Sequence, residues 1–402
     1  MEDMKKSAAA AFRDGSLPIG PLDGLPEEVL LLILQNMEPG VLGLLRQVCK
    51  AFHSAVDTLG DRSPAVRVIS VPSLCRAASS ELRQGQALLE WAKGQGCPWD
   101  NRICAAAAAS GSAELLEWTA GEEGGCHVDA RACSAAAAGG HLQLLRWLRQ
   151  RGCPWDEESC AAAAAGGHLP VLKWARAHQC PWNLMTCVRA AESGQLEVLK
   201  WASENGCDTG AAYTLSKAAR AGQLEVLQWA RAHGWVWNAF TMEQAARGGR
   251  LTLLQWLWAQ GCPSNRSVCA AAAEGGHLEV LQWLRAQGCE WDRHTCAAAA
   301  EGGHLEVLRW AVGGGCAWGA DCCAAAARGG QLHTLRWLHS RGCPWDCWTC
   351  CEAALGGHIA LLRWAREAGC PWDARTAAAA LSKGHGEVFA WFAQNQCMGG
   401  HG

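Results

Sequence analysis

From His141 to Arg151 the apolar residues Leu142, Leu144, Leu145, Trp147 and Leu148 cover more than half of a helical wheel, leaving Gln143 and Arg146 on a narrow polar strip. A stripe that wide fits a helix pressed between two neighbours. The next segment, Cys160 to Gly167, reads CAAAAAGG. Its alanine run predicts a second kind of helix, one whose small side chains allow close approach, and the glycine pair stops that helix and turns the chain. Between the two kinds lies GCPWD, at Gly152 to Asp156. Gly152 suits a helix end, Pro154 forbids continuation, and Asp156 is placed to cap the helix that follows.

This grammar recurs. The tryptophan of the L-x-W core falls at Trp91, Trp118, Trp147, Trp174, Trp201, Trp229, Trp256, Trp283, Trp310, Trp337, Trp364 and Trp391, and nine of the eleven intervals are 27 residues. Such a period predicts an all-α chain, an α-solenoid of about twelve stacked helix-turn-helix units over residues 72–397. One helix pair cannot bury its own faces, so each unit depends on its neighbours. All 23 tryptophans lie in this array and read as a structural ladder in its core.

The segment Thr295 to Trp310, TCAAAAEGGHLEVLRW, resembles the ankyrin repeat, whose units read T-P-L-H-x-A, then G-H-x-E-V-V, then L-L-x-x-G-A. The ankyrin unit has roughly 33 residues. The shorter period here removes the turn-forming finger, so the resemblance implies stacked helix pairs with short connectors and little or no β-hairpin.

Residues 25–63 have a different composition. Pro26 opens a helix with Glu27 and Glu28 in its first turn, Val29, Leu30, Ile33, Leu34 and Met37 follow at helical spacing, and Pro39 and Gly40 break it. Leu42, Leu45, Val48, Cys49 and Phe52 form a second apolar pattern. A hairpin this small needs something to dock on. It resembles the F-box, L-P-x-E-x-L-x-x-I-L, then P-x-D-L-L, then Q-V-C-[RK]-x-[WF], although Val41 and Gly43 depart from the pattern. The resemblance implies binding to the small adaptor subunit of a cullin-type ubiquitin ligase through Leu25, Pro26, Leu30, Ile33, Leu34, Pro39, Leu42, Leu45, Val48 and Phe52. The bland alternative is a hairpin that seals the first repeat. Residues 1–24 read as a disordered tail, 64–71 as a linker and 398–402 as a second tail.

A net charge of −3 over 402 residues argues against a polyanionic partner, and no apolar run reaches the length of a membrane span. The 24 cysteines follow the repeat register with no export signal before them, which points to a reducing cytoplasm or nucleus. They form C-x6-C pairs such as Cys153/Cys160, Cys289/Cys296 and Cys343/Cys350. Zinc sites prefer shorter spacing, so packing is expected and metal is not.

Capture of a partner would use positions free to vary between units. Most first helices carry alanine there, whereas Arg189, Glu192, Lys217, Arg220, Gln244 and Arg247 replace small residues and Tyr213, Phe240 and Trp348 add bulk beside the connectors. Neutral erosion of a solvated face is the competing reading. A basic stripe that includes Arg146, Lys173, Arg309 and Arg336, with Arg149, Arg176, Arg285 and others one turn on, reads as a solvated ridge. The histidines His141, His168, His277, His304, His358 and His385 recur once per unit and read as servants of the repeat geometry. No P-loop, G-x-S-x-G or H-E-x-x-H motif is present, so no catalytic residue, cofactor or metal is expected. The sequence thus predicts a protein-interaction module. Its best function is a substrate-receptor subunit of a ubiquitin ligase, with a plain ankyrin-type scaffold as the alternative.

Overall fold

In a computed structural model the described residues are 100–121 and 125–396, and they hold 22 α-helices and no strand. The F-box-like segment, both tails, the linker and the first repeat with Trp91 lie outside the described residues. The described residues divide into two compact units, those up to residue 190 together with 197–208, and residues 191–196 with 209–396. Each is an α-solenoid of stacked helix pairs. In the first, the helix Asn101–Ser110 packs on Ala130–Ala138, which packs on Glu157–Ala165. In the second, Ala211–Ala221, Ala239–Arg247, Ser267–Glu274, Arg293–Gly302, Ala320–Arg328, Cys347–Leu355 and Ala374–Ser382 pack each on the next.

Alanine makes this stacking close. Ala132, Ala136, Ala163, Ala299 and Ala326 are wholly buried between successive first helices. The second helices cover the first with a fixed triad, Leu144, Leu145 and Leu148 in one repeat and Val171, Leu172 and Ala175 in the next. These are spaced at one helical face.

Where a glycine pair is present it ends the first helix as expected. At Gly139–Gly140 the second glycine is left-handed, φ 75°, and the His141 amide donates to the Ala136 carbonyl at 2.9 Å. That bond closes the helix end as a Schellman motif. The connectors are coil, with no hairpin among the described residues. Asp100, Asp129, Asp292, Asp346 and Asp373 cap the helices after them by accepting the amide two residues on, at 2.9–3.0 Å. Asp156 corrects the expectation: it holds the cap position, but its side chain makes no cap bond and its Oδ1 is buried without a partner.

Two further readings need correction. The tryptophan ladder exists but does not form the core, because all eleven described marker tryptophans are half-buried. Of the connector tryptophans, Trp237 alone is buried among the described residues, at 5% exposure. Each connector ring meets the marker ring of the following repeat, as Trp155 meets Trp174 edge-on at 5.7 Å and Trp291 meets Trp310 at 5.4 Å. The basic ridge is likewise engaged. Arg149 lies 4.2 Å from the Trp155 ring centre and also donates to the Cys153 carbonyl, while Arg146 lies 5.8 Å from Trp174 of the next repeat. Arg176 and Arg285 repeat the first arrangement, Lys173, Arg309 and Arg336 the second. Cation–π contact therefore holds these charges against the ladder.

The cysteines of the C-x6-C pairs Cys153/Cys160, Cys289/Cys296 and Cys343/Cys350 are buried. Cys153 meets the thiol of its own repeat's first helix, Cys133, at 3.4 Å. The first helix and its own connector lie side by side, whereas Cys153 and Cys160 are separated by the turn between repeats. Among the described residues no group of three or more possible metal ligands converges.

Candidate protein-binding face

The first helices decide what this face displays. In three of them a buried threonine near the N-terminus faces inward: Thr214, Thr241 and Thr349 have 0% exposure. The residue before it is turned about 100° around the helix, toward solvent. That position holds Tyr213, Phe240 and Trp348, which are 44%, 45% and 51% exposed. Their exposure thus follows from register. Lys217 Nζ lies 5.3 Å from the Tyr213 ring centre and Arg375 Cζ 5.2 Å from that of Trp348. Both aromatic faces already carry a cation.

The other residues selected from sequence are less uniform. Arg189 and Arg220 are exposed, and Glu192 and Lys217 are half-buried. Arg247 pairs with Glu274 of the next repeat at 2.7 Å, which commits its charge to holding two repeats together. Gln244 is only 6% exposed, so it does not belong to the surface at all. The helix turns it inward beside the buried Met242 and Ala245, at the position that holds Lys217 in the preceding repeat and Ala271 in the next.

Two features escaped the sequence reading. Val236 is 71% exposed in the connector between the repeats of Tyr213 and Phe240, at the position where other connectors carry proline. A bulky apolar residue at a proline position was the available signal. A cleft of about 430 Å³ also opens over Ala270, Ala297 and Ala324, with Arg293, Asp321 and Arg328 at its rim. Alanine looks featureless in sequence, yet here it forms the floor between charged walls. Those walls are internally paired: Arg293 approaches Asp321 at 3.8 Å and Arg328 makes a two-pronged bond to Glu352 at 2.9 Å. The Glu352 carboxylate raises the Arg328 pKa further above its ordinary range.

Beneath the face, neighbouring repeats are tied by one recurring bond. The residue after the glycine pair has no side-chain role in capping its own helix; its side chain reaches back to the preceding repeat. His141, His168, His277, His304, His358 and His385 each place Nε2 at 3.0–3.1 Å from a carbonyl oxygen near the end of the previous first helix. Nε2–H is the donor, since a carbonyl can only accept. Gln223 does the same to Glu192 at 3.1 Å, and Arg250 to Arg220 at 3.3 Å.

Comparison with known proteins bears on the segment outside this region. Residues 22–63 match the F-box domain. No curated protein matches the chain. Among solved structures, the crystal structure of the human ASB11 ankyrin repeat domain is similar at 18% identity, covering 39% of this chain and 84% of that one, with a TM-score of 0.32. The chain thus combines a segment that matches the F-box domain with an array of stacked helix pairs. No helix among the described residues is long and apolar enough to cross a membrane.

Proposed function

We propose that this chain is a substrate-receptor subunit of a cullin-type ubiquitin ligase. The carrying observation is the F-box match at residues 22–63 on the same chain as a long repeat array. In this reading Pro26, Leu30, Ile33 and Pro39 contact the small adaptor subunit, and the array holds a target protein while other subunits transfer ubiquitin. The protein works in the cytoplasm or nucleus, where its buried free thiols remain reduced. Target capture uses the first-helix face around Tyr213, Val236 and Phe240, flanked by Lys217 and Arg220. Exposed aromatics beside cations are the usual anchors of an interface.

Capture of the purified adaptor by the full chain tests the first half. Binding is expected and should be lost on Leu30→Asp with Ile33→Asp; an intact chain that does not bind leaves a plain scaffold. For the second half, the double variant Lys217→Ala, Arg220→Ala should keep adaptor binding and lose the target. A target retained by that variant removes those two cations from the capture face.

A further inference from the structure

The second helices Leu142–Gln150 and Leu169–Ala177 carry Arg146, Arg149, Lys173 and Arg176 and no acidic residue. On the following second helix the ridge cation Lys200 is paired with Glu197 at 2.7 Å. Gln143 and Pro170 stand in that glutamate's place here, so the charges have no offset on their own helices. Arg146 and Lys173 are exposed and make neither an ion pair nor a hydrogen bond among the described residues; each lies beside an indole, at 5.8 Å from Trp174 and 5.9 Å from Trp201. Arg149 and Arg176 each give an N–H to a connector carbonyl, of Cys153 and Cys180, and meet no carboxylate.

A cleft of about 600 Å³ spans the two helices, and no carboxylate lines it. Arg146 and Arg149 stand on one side, and Trp155 and Trp174 meet edge-on at 5.7 Å within it. His178 rests on Trp174 with ring centres 4.4 Å apart. Gln179, also at the cleft, has φ 64° and is the one left-handed residue other than glycine among the described residues. The neighbouring repeats place Gly152 and Gly206 at that position. Backbone strain is thus accepted here, and with it comes an amide side chain that glycine would not supply.

We propose that this cleft and the ridge beside it bind an extended acidic segment of a partner protein. One carboxylate enters beside Arg146 and Arg149, and a second reaches Lys173 and Arg176 one repeat on. Packed helices lie roughly 8–10 Å apart and an extended chain advances about 3.3 Å per residue, so acidic residues about three positions apart meet successive repeats. The indoles hold the cations in place beforehand, which reduces the ordering that binding must impose. The chain's net charge of −3 disfavours a polyphosphate as occupant. This surface belongs to the second helices, not to the first-helix face assigned to target capture, so it stands apart from the ligase reading.

The test is fluorescence anisotropy of the full-length protein with a labelled peptide carrying glutamate at every third position. The peptide should bind, its isomer with glutamine in those places should not, and added salt should weaken the complex. Arg146→Gln with Lys173→Gln should weaken binding roughly tenfold, as two partly exposed ion pairs are lost. Arg309→Gln is the control, since Arg309 lies on an indole in the same way but follows Glu306 on its own helix, and it should bind as the parent does. Arg146→Glu with Lys173→Glu should instead prefer the lysine form of the peptide. No binding of the glutamate peptide to the unsubstituted protein overturns the proposal, as does equal binding of the glutamine form. Tighter binding of a phosphoserine form or of single-stranded RNA overturns it too, by assigning the cleft to another occupant.

Discussion

His168 Nε2 stands 3.0 Å from the carbonyl oxygen of Ala138, one repeat earlier in the stack. The bond satisfies a carbonyl at a helix end that has no partner within its helix. It also fixes the spacing of two repeats, because the ring lies over the glycine turn between them.

Replacing His168 by alanine should destabilise its unit by about 1–1.5 kcal/mol, the worth of one hydrogen bond whose acceptor is then left half-covered. His168→Gln should recover most of that loss, since Gln223 already makes the equivalent bond to Glu192. Urea unfolding of the pair measures both. Equal losses would mean that the ring's volume, not its N–H, does the holding.

Two glycines with the same backbone twist should respond differently to alanine. Gly140 and Gly152 have φ of 75° and 78°, but a Cβ on Gly140 would lie 2.6 Å from His168 Nδ1, while one on Gly152 meets nothing within 4 Å. Gly152→Ala should cost about 1 kcal/mol for the left-handed backbone alone. Gly140→Ala should cost at least about twice that, as overpacking is added to strain. Thermal melts of the two variants give the comparison.

Arg149 serves Trp155 and the Cys153 carbonyl together. Arg149→Ala should cost about 1–2 kcal/mol through the lost cation–π contact and hydrogen bond, whereas Arg149→Lys should retain part of the first. The altered environment of Trp155 should also shift tryptophan emission. An Arg149→Ala protein as stable as its parent would return this residue to the solvated ridge.

Alkali should loosen the array before acid chemistry does. Burial pushes Cys262 up to about 11 and Cys322 up to about 12 from an ordinary 9.0, so the folded state holds these protons more tightly than the unfolded chain. Their contribution is complete below pH 9 and is lost as pH rises through 11 to 12. Melting temperature should therefore decline above pH 9, and Cys262→Ala should flatten the part of that decline below pH 11.

The repeat, its two helix types and its turns were legible from residues alone, since alanine runs, glycine pairs and Pro-Trp connectors act over a few residues each. The one-per-unit histidines were legible as geometric, and the F-box segment was legible through its resemblance to that family's pattern. Pairings across the turn were not. Cys153 looks nearest to Cys160 along the chain, yet meets Cys133, because antiparallel helices bring a connector back to the start of its own repeat. For the same reason the tryptophans, apolar enough for any core, ended half-buried. Alanine helices stack too closely to admit an indole, so the rings moved to the outer seam, where arginines cover them. Gln244 shows the limit most simply: its type suggested a surface, and one step of helical rotation put it inside. Local propensity chose the elements, and only the stacking of neighbours, a long-range event, decided which side chains meet.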